Sequence, residues 1–148
     1  MISVKTRFLI ADDDSDDVSI FCEALYRITP EMKCYKVENG REVFKFLSEP
    51  AIGKPDFIFL DINMPIMNGW ECLKRLKSNS ELSDIPAIMY STSSAKKDID
   101  QAYSLGASLF LTKPENFEEL CKILEIVATN PQDSLIPQLR GFTSVKVA

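Results

Sequence analysis

The chain alternates short apolar runs with longer stretches in which apolar residues recur every three or four positions. Within the short runs polar and apolar residues do not alternate, which is typical of strands covered on both faces of a parallel sheet. These runs occupy residues 8–11, 57–60, 87–90 and 109–111, and residues 32–37 predict a further strand at a sheet edge.

The longer stretches predict amphipathic helices. The first follows Ser15, a predicted N-cap, and places Val18, Phe21, Cys22, Leu25 and Ile28 on one apolar stripe. A second stripe of the same period spans residues 117–127, and weaker ones span 41–47, 70–77 and 96–105. The alternation of strand and helix predicts an α/β fold with a doubly wound parallel sheet, in which ligands bind at the carboxyl ends of the strands.

The domain is expected to occupy residues 1–130. Residues 131–148 form a tail that is too short for a second domain, so no output domain is expected there. Leu135, Ile136, Leu139 and Phe142 nevertheless give the tail apolar surface to bury. The pattern leaves open whether the tail docks on the domain, joins a homodimer interface or stays disordered.

The composition says little about the fold but excludes several kinds of binding and catalytic site. The 148 residues are 45% hydrophobic and 26% charged, as in an ordinary globular domain, and the net charge of −5 gives no basic excess for nucleic acid or anionic membranes. The chain contains no histidine. This excludes a Ser-His-Asp or Cys-His nucleophilic site, zinc sites with imidazole ligands, and a phosphohistidine carried by the chain itself.

The cysteines Cys22, Cys34, Cys72 and Cys121 form no CxxC pair, so neither a zinc ribbon nor a thioredoxin-like redox site is predicted. We expect all of them to be buried, reduced thiols. The apolar run near the N-terminus is far shorter than a signal peptide or a membrane span requires. These features predict a soluble, cytoplasmic protein.

Polar side chains follow the predicted strands where each strand ends. Carboxyl ends of parallel strands share one edge, so these side chains are expected to converge. Clustered carboxylates require protonation or a cation, and an all-oxygen ligand set favours Mg²⁺. Asp16 and Asp17 are instead interpreted as solvated acids in the first turn of a helix. The converging residues are Asp12, Asp13, Asp14, Asp61, Ser91, Thr92, Ser93, Lys113 and Pro114.

The sequence resembles the receiver domain of two-component response regulators, collinearly from about residue 6 to residue 129. The resemblance rests on residues 8–14 (FLIADDD), 57–69 (FIFLDINMPIMNG), 85–91 (IPAIMYS) and 106–114 (GASLFLTKP). It implies a flavodoxin-like, five-stranded parallel sheet in the order 2-1-3-4-5. It also implies a stand-alone receiver, a signalling module rather than an enzyme.

The resemblance assigns a role to most of the converging residues. Asp61 would be the phosphoacceptor, while Asp12, Asp13 and the main-chain carbonyl of Asn63 would join it in binding Mg²⁺. Lys113 would pair with a phosphoryl oxygen, and its bond to Pro114 is usually cis in the family.

The resemblance also implies a switch. Ser91 occupies the family's hydroxyl position and Phe110 its aromatic switch position. After phosphorylation the Ser91 hydroxyl would turn to the phosphoryl group, Phe110 would turn inward, and the face built by the fourth helix, fifth strand and fifth helix would change. Asn63, Thr92 and Ser93 are expected to tune the phosphoryl lifetime, and Thr92, where the family commonly has a small residue, is expected to narrow access to Asp61.

The implied phosphoryl donor is a sensor histidine kinase or a histidine phosphotransfer protein, and the signal would pass to a downstream protein partner. Two alternatives stay open. A Mg²⁺-dependent phosphohydrolase of the haloacid dehalogenase type would use the same ingredients, but such enzymes carry an aspartate where this chain has Asn63. A degenerate receiver would bind partners without being phosphorylated.

Overall fold

A computed structural model describes residues 7–28, 30–130 and 134–147 of the chain. The strands are β1 (Arg7–Ala11), β2 (Lys33–Val37), β3 (Phe57–Leu60), β4 (Ala87–Ser91), β5 (Leu109–Thr112) and β6 (Val145–Lys146). The helices are α1 (Ser15–Ile28), α2 (Gly40–Leu47), α3 (Gly69–Ser78), α4 (Lys96–Ser104), α5 (Phe117–Thr129) and α6 (Leu135–Leu139).

The strands form one sheet in the order β2-β1-β3-β4-β5-β6. The first five are parallel, which confirms the predicted doubly wound arrangement and its 2-1-3-4-5 order. The sixth strand is antiparallel to β5 and was not predicted. It is two residues long and lies in the tail, too short to show a period of its own.

Helices cover both faces of the sheet, which explains why the strands lack alternation. In β1, Phe8 and Ile10 pack on the side of α1 and α5, while Leu9 packs on the side of α2, α3 and α4. All three side chains are fully buried. A strand with two buried faces has no polar face to display, and its sequence reads as a continuous apolar run.

Helices α1, α2, α3 and α5 begin at side-chain caps. Asn39, Asn68 and Asn116 each accept a hydrogen bond from the backbone N–H three residues later. At α1 the side chain of Asp14 accepts from the N–H groups of Asp16 and Asp17. The cap of α1 is therefore Asp14, and the prediction of Ser15 was wrong by one residue, because both short polar side chains precede the same apolar stripe.

The described part of the tail docks on the domain. In α6, Leu135 and Leu139 are buried in the core layer shared with α1 and α5. After α6 the chain returns to the sheet, where the Ser144 carbonyl accepts from the Thr112 N–H and Val145 pairs in register with Leu111. The sequence left open whether the tail docks on the domain, joins a homodimer interface or stays disordered, and in this structure its described residues dock on the domain.

One cysteine expectation was wrong, because the structure joins Cys22 and Cys34 by a disulfide bond. Cys22 lies on α1 and Cys34 on β2, and their Cα atoms are 5.6 Å apart, which is within bonding range. Packing of the helix against this strand creates the pair, and no sequence spacing reveals it. Cys72 and Cys121 are free thiols, the first buried and the second half-buried.

No helix in the described part of the chain is both long enough and apolar enough to cross a membrane.

Candidate functional site

The carboxyl ends of β1 and β3 bring three predicted carboxylates together. One oxygen each from Asp12, Asp13 and Asp61 lies within 4.8 Å of the others. The backbone ladder continues one residue past each strand, since the Asp12 N–H donates to Val37 and the Asp61 N–H to Ala11. These hydrogen bonds fix the backbone positions of Asp12 and Asp61 relative to the sheet.

Lys113 enters the cluster from the end of β5. Its backbone N–H donates to the Ser91 carbonyl at 2.7 Å, which places the residue beside the end of β4. Its Nζ donates to Asp12 Oδ2 at 2.7 Å and to Asp17 Oδ2 at 2.8 Å, and lies 3.9 Å from Asp61 Oδ2. The ammonium therefore pairs closely with two carboxylates and more loosely with the third.

Burial and charge shift the acid–base behaviour of this cluster. Burial raises the pKa of Asp61 to about 7, the Lys113 charge opposes that rise, and the neighbouring Asp12 adds to it. Burial alone would lower the pKa of Lys113, but hydrogen bonds to Asp12 and Asp17 and the charge of Asp61 outweigh it, so the net shift is upward. Lys113 is thus a permanent cation in the site.

Asp17 was missed as a site residue. The sequence interpretation treated it, with Asp16, as a solvated acid at a helix start, and Asp16 is indeed exposed. The Asp17 side chain, 34% exposed, instead turns toward the sheet and binds Lys113. The available signal was its position in the first turn of α1, the helix that begins directly after the carboxyl end of β1.

Asp61 is followed by a tightly held loop that leads into α3. The Asp61 side chain accepts from the Ile62 N–H, and the Gly69 N–H donates to the Ile62 carbonyl. Ile66, in this loop, has a φ of 69°, in the left-handed region, and is 73% exposed. Asn63 is also exposed, and the metal-binding role predicted for its carbonyl stays a prediction.

The hydroxyl residues after β4 have distinct surroundings. Ser91 is buried, and its Oγ accepts from the Ser93 N–H at 3.1 Å. Ser93 Oγ donates to Asp98 on α4 and accepts from the Ala95 N–H, so this residue anchors the start of α4. Thr92 is exposed. The lifetime-tuning roles predicted for Thr92 and Ser93 stay predictions.

The expected cis bond between Lys113 and Pro114 is not found. Among the residues described, every peptide bond is trans. Trans is the lower-energy form even before proline, and the lysine's contacts with Asp12 and Asp17 are made with the bond in that form.

The predicted switch residue, Phe110, is fully buried on the α3 and α4 side of the sheet. Its backbone N–H donates to the Tyr103 hydroxyl at 3.0 Å, and that hydroxyl donates to the Lys146 carbonyl in β6. The aromatic residue on β5 is therefore connected to the tail through one side chain of α4.

A cleft of about 420 Å³ opens beside the carboxylates. It lies between the start of α1 and the end of β2, and its lining includes Asp12, Asp13, Lys36 and Glu42. The cleft gives solvent and small ions a route to the acidic cluster.

These features define a class of protein: a flavodoxin-like α/β domain with clustered carboxylates and one lysine at the carboxyl ends of its parallel strands. Residues 8–125 match the family model described as the response regulator receiver domain. The chain belongs to this family of two-component signalling proteins.

Relatives with similar sequences include a chemotaxis protein and a response regulator. The chemotaxis protein CheY1 of Helicobacter pylori is 31% identical over 121 residues, which cover 82% of this chain and 95% of the relative. The response regulator Rcp1 of Synechocystis is 28% identical over 121 residues, 79% of this chain and 82% of the relative.

Solved structures support the same fold. The phosphorylated cyanobacterial phytochrome response regulator RcpA superposes with a TM-score of 0.74 at 31% identity, covering 84% of this chain and 91% of that one. The Mn²⁺-bound form of Rcp1 superposes with a TM-score of 0.70 at 27% identity, covering 95% and 98%.

Proposed function

We propose that this receiver accepts a phosphoryl group on Asp61 from a phosphohistidine donor, with Mg²⁺ bound, and thereby controls a protein partner. One observation carries the proposal. One oxygen each from Asp12, Asp13 and Asp61 lies within 4.8 Å of the others, and Lys113 Nζ lies 3.9 Å from Asp61 Oδ2.

The residues present fit a small divalent cation. The carboxylates of Asp12, Asp13 and Asp61 and the main-chain carbonyl of Asn63 would hold it, and all of these donors are oxygen, as Mg²⁺ prefers. Burial is the main cause of the raised pKa of Asp61, and the neighbouring Asp12 charge adds to it, so a cation bound beside it would favour the ionised carboxylate. When bound, Mg²⁺ supplies positive charge to the phosphoryl oxygens during transfer. The related Rcp1 has been crystallised with Mn²⁺.

Transfer needs little from the protein beyond position and charge. An Asp61 carboxylate oxygen forms a bond to phosphorus as the bond between phosphorus and the donor's ring nitrogen breaks, and the released imidazole takes a proton from solvent. Lys113 is near enough to pair with a phosphoryl oxygen. The chain has no histidine, so the donor is another molecule.

The output surface we propose is the face formed by α4, β5 and α5. Phosphorylation replaces the single charge of the Asp61 carboxylate by a group of nearly −2 with new acceptors. The Ser91 hydroxyl, which accepts from the Ser93 N–H in this structure, could then bind one of those oxygens. Movement of that hydroxyl toward the phosphoryl group, with a rearrangement of Phe110, would carry the change to this face.

The partners we propose are a sensor histidine kinase or histidine phosphotransfer protein upstream and a regulated protein downstream. The chain would act as a signalling module, without a catalytic output of its own. We propose a cytoplasmic location because phosphohistidine donors are charged from ATP.

Phosphate incorporation tests the proposal. Radiolabelled acetyl phosphate and Mg²⁺ should label wild-type protein, and the acid-stable, base-labile signal expected of an acyl phosphate should disappear in Asp61→Asn and after chelation of the metal. Asp100→Asn is the matched control, because Asp100 is an α4 acid paired with Lys96. Labelling that persists in Asp61→Asn, or no labelling with any donor including phosphohistidine proteins, would overturn it.

A further inference from the structure

Lys113 forms ion pairs with two aspartates that differ in burial. The Asp12 side chain is fully buried, whereas the Asp17 side chain is 34% exposed and belongs to the first turn of α1. An ammonium has three N–H donors. Asp12 and Asp17 take two of them at hydrogen-bond distance, while Asp61 lies beyond it.

A phosphoryl group on Asp61 would change this balance. It brings about two negative charges and three acceptor oxygens to within reach of Lys113 Nζ. One N–H of Lys113 remains for a phosphoryl oxygen, but Nζ is now 3.9 Å from Asp61 Oδ2 and must approach to make that bond. Its approach draws it away from the Asp17 carboxylate, and the phosphoryl group and this carboxylate repel each other. Asp12 is not an equal competitor, since it is buried and also accepts from the Asp14 N–H.

We propose that Asp17 is a positioning residue that holds Lys113 in the unphosphorylated state and competes with the phosphoryl group for it. This inference rests on the proposed function of Asp61. Its consequence is that phosphorylation weakens the link between Lys113 and the first turn of α1, while the absence of Asp17 favours the phosphorylated state.

The chain offers a matched pair of variants. Asp17→Asn removes the carboxylate that binds Lys113, and Asp16→Asn removes the same charge from the neighbouring, exposed position. Both side chains lie outside the proposed metal ligands. If the loss of one negative charge acts only as a general electrostatic effect, the two variants should behave alike. If it acts through Lys113, only Asp17→Asn should differ from wild type.

Beryllium fluoride, which mimics a phosphoryl group on a carboxylate, is the probe. Its binding is measured by titration at saturating Mg²⁺, with Mg²⁺ affinity measured separately in its absence. We expect Asp17→Asn to bind beryllium fluoride about three- to tenfold more tightly than wild type, the effect of losing one charge-assisted, partly exposed contact. Asp16→Asn should differ from wild type by less than about twofold, and both variants should show similar, slightly weakened Mg²⁺ binding.

Equal beryllium fluoride affinities for Asp17→Asn and Asp16→Asn would overturn the inference, as would weaker binding by Asp17→Asn, which would mean that Asp17 helps Lys113 to reach the phosphoryl group. Wild-type protein that binds no beryllium fluoride, or binding that persists in Asp61→Asn, would instead overturn the proposed function and with it this inference. Beryllium fluoride binding by wild type and by Asp61→Asn therefore tests the proposed function, and the comparison of Asp17→Asn with Asp16→Asn tests the role of Asp17.

Discussion

Gly69 packs directly against the main chain of Asp61. A β-carbon at position 69 would lie 2.1 Å from the Asp61 carbonyl oxygen and 3.0 Å from the Ile62 Cα. The atoms in the way are backbone, so no side-chain rotation relieves the clash. The start of α3 and the end of β3 can approach this closely only because residue 69 has no side chain.

We expect Gly69→Ala to lower the free energy of unfolding by about 1–3 kcal/mol and to displace the loop that follows Asp61. Chemical denaturation measures the first effect, and Mg²⁺ titration measures the second as weakened binding. Gly141→Ala is the control, because a β-carbon there meets nothing within 4 Å. Equal stability of the two variants would contradict the close approach.

Much of the fold follows from the sequence for a simple physical reason. Strands buried on both faces read as apolar runs, and parallel strands bring whatever follows them to one edge. Asp12, Asp13 and Asp61, which lie within two residues of the ends of β1 and β3, were predicted to converge in this way. Local chemistry and topology were sufficient for this part of the site.

Features that depend on long side chains or on packing between distant segments were not predicted. The contact of Lys113 with Asp17 joins residues 96 positions apart through a flexible side chain. The disulfide between Cys22 and Cys34 depends on how a helix lies on a strand. The strand β6 takes its structure from the edge of β5 rather than from its own two residues.

Mg²⁺ binding should depend on pH through Asp61. The pKa of this carboxyl is raised to about 7, mainly by burial, so below pH 7 a cation must displace a proton and above pH 7 it need not. Mg²⁺ affinity, measured by calorimetry, should therefore fall up to about tenfold per pH unit below 7 and become constant above it. Asp61→Asn should show weak binding with little pH dependence between 6 and 8. The absence of histidine removes the usual competing titration in this range.

Thr92 should limit phosphorylation by small donors. It is exposed and follows the buried Ser91 at the end of β4. We expect its side chain to narrow the approach to Asp61. We expect acetyl phosphate to label Thr92→Ala a few-fold faster than wild type. Thr129→Ala, at the end of α5, serves as the control for loss of a threonine hydroxyl. Equal labelling rates for wild type and Thr92→Ala would disprove the expectation.

The disulfide should stabilise the oxidised protein. Cys22 and Cys34 are 12 positions apart, and closing a loop of that size restricts the unfolded chain by roughly 3 kcal/mol. Reduction with dithiothreitol should lower the unfolding free energy of wild type by up to that amount. Cys34→Ser should show no such response to reductant. Alkylation of all four cysteines in unfolded, non-reduced protein would show instead that Cys22 and Cys34 are thiols.

The tail should be held in place partly by Tyr103. Its hydroxyl accepts from the Phe110 N–H and donates to the Lys146 carbonyl, so it connects α4, β5 and β6. Tyr103→Phe keeps the ring but removes both bonds, at a cost of about 1–3 kcal/mol where the groups stay buried and unpaired. We expect backbone amides of residues 144–147 to exchange hydrogen faster in this variant, while those of β1 are unchanged.

Tyr26→Phe is the control for this experiment, because the Tyr26 ring on α1 is 50% exposed. Unchanged exchange of residues 144–147 in Tyr103→Phe would mean that burial of Leu135 and Leu139 holds the tail without help from the hydroxyl. Faster exchange would instead show that the Tyr103 hydroxyl, which also binds the backbone N–H of the proposed switch residue Phe110, helps to hold the tail. Any rearrangement of β5 on phosphorylation would then also displace β6, which lies along the edge of the proposed output face.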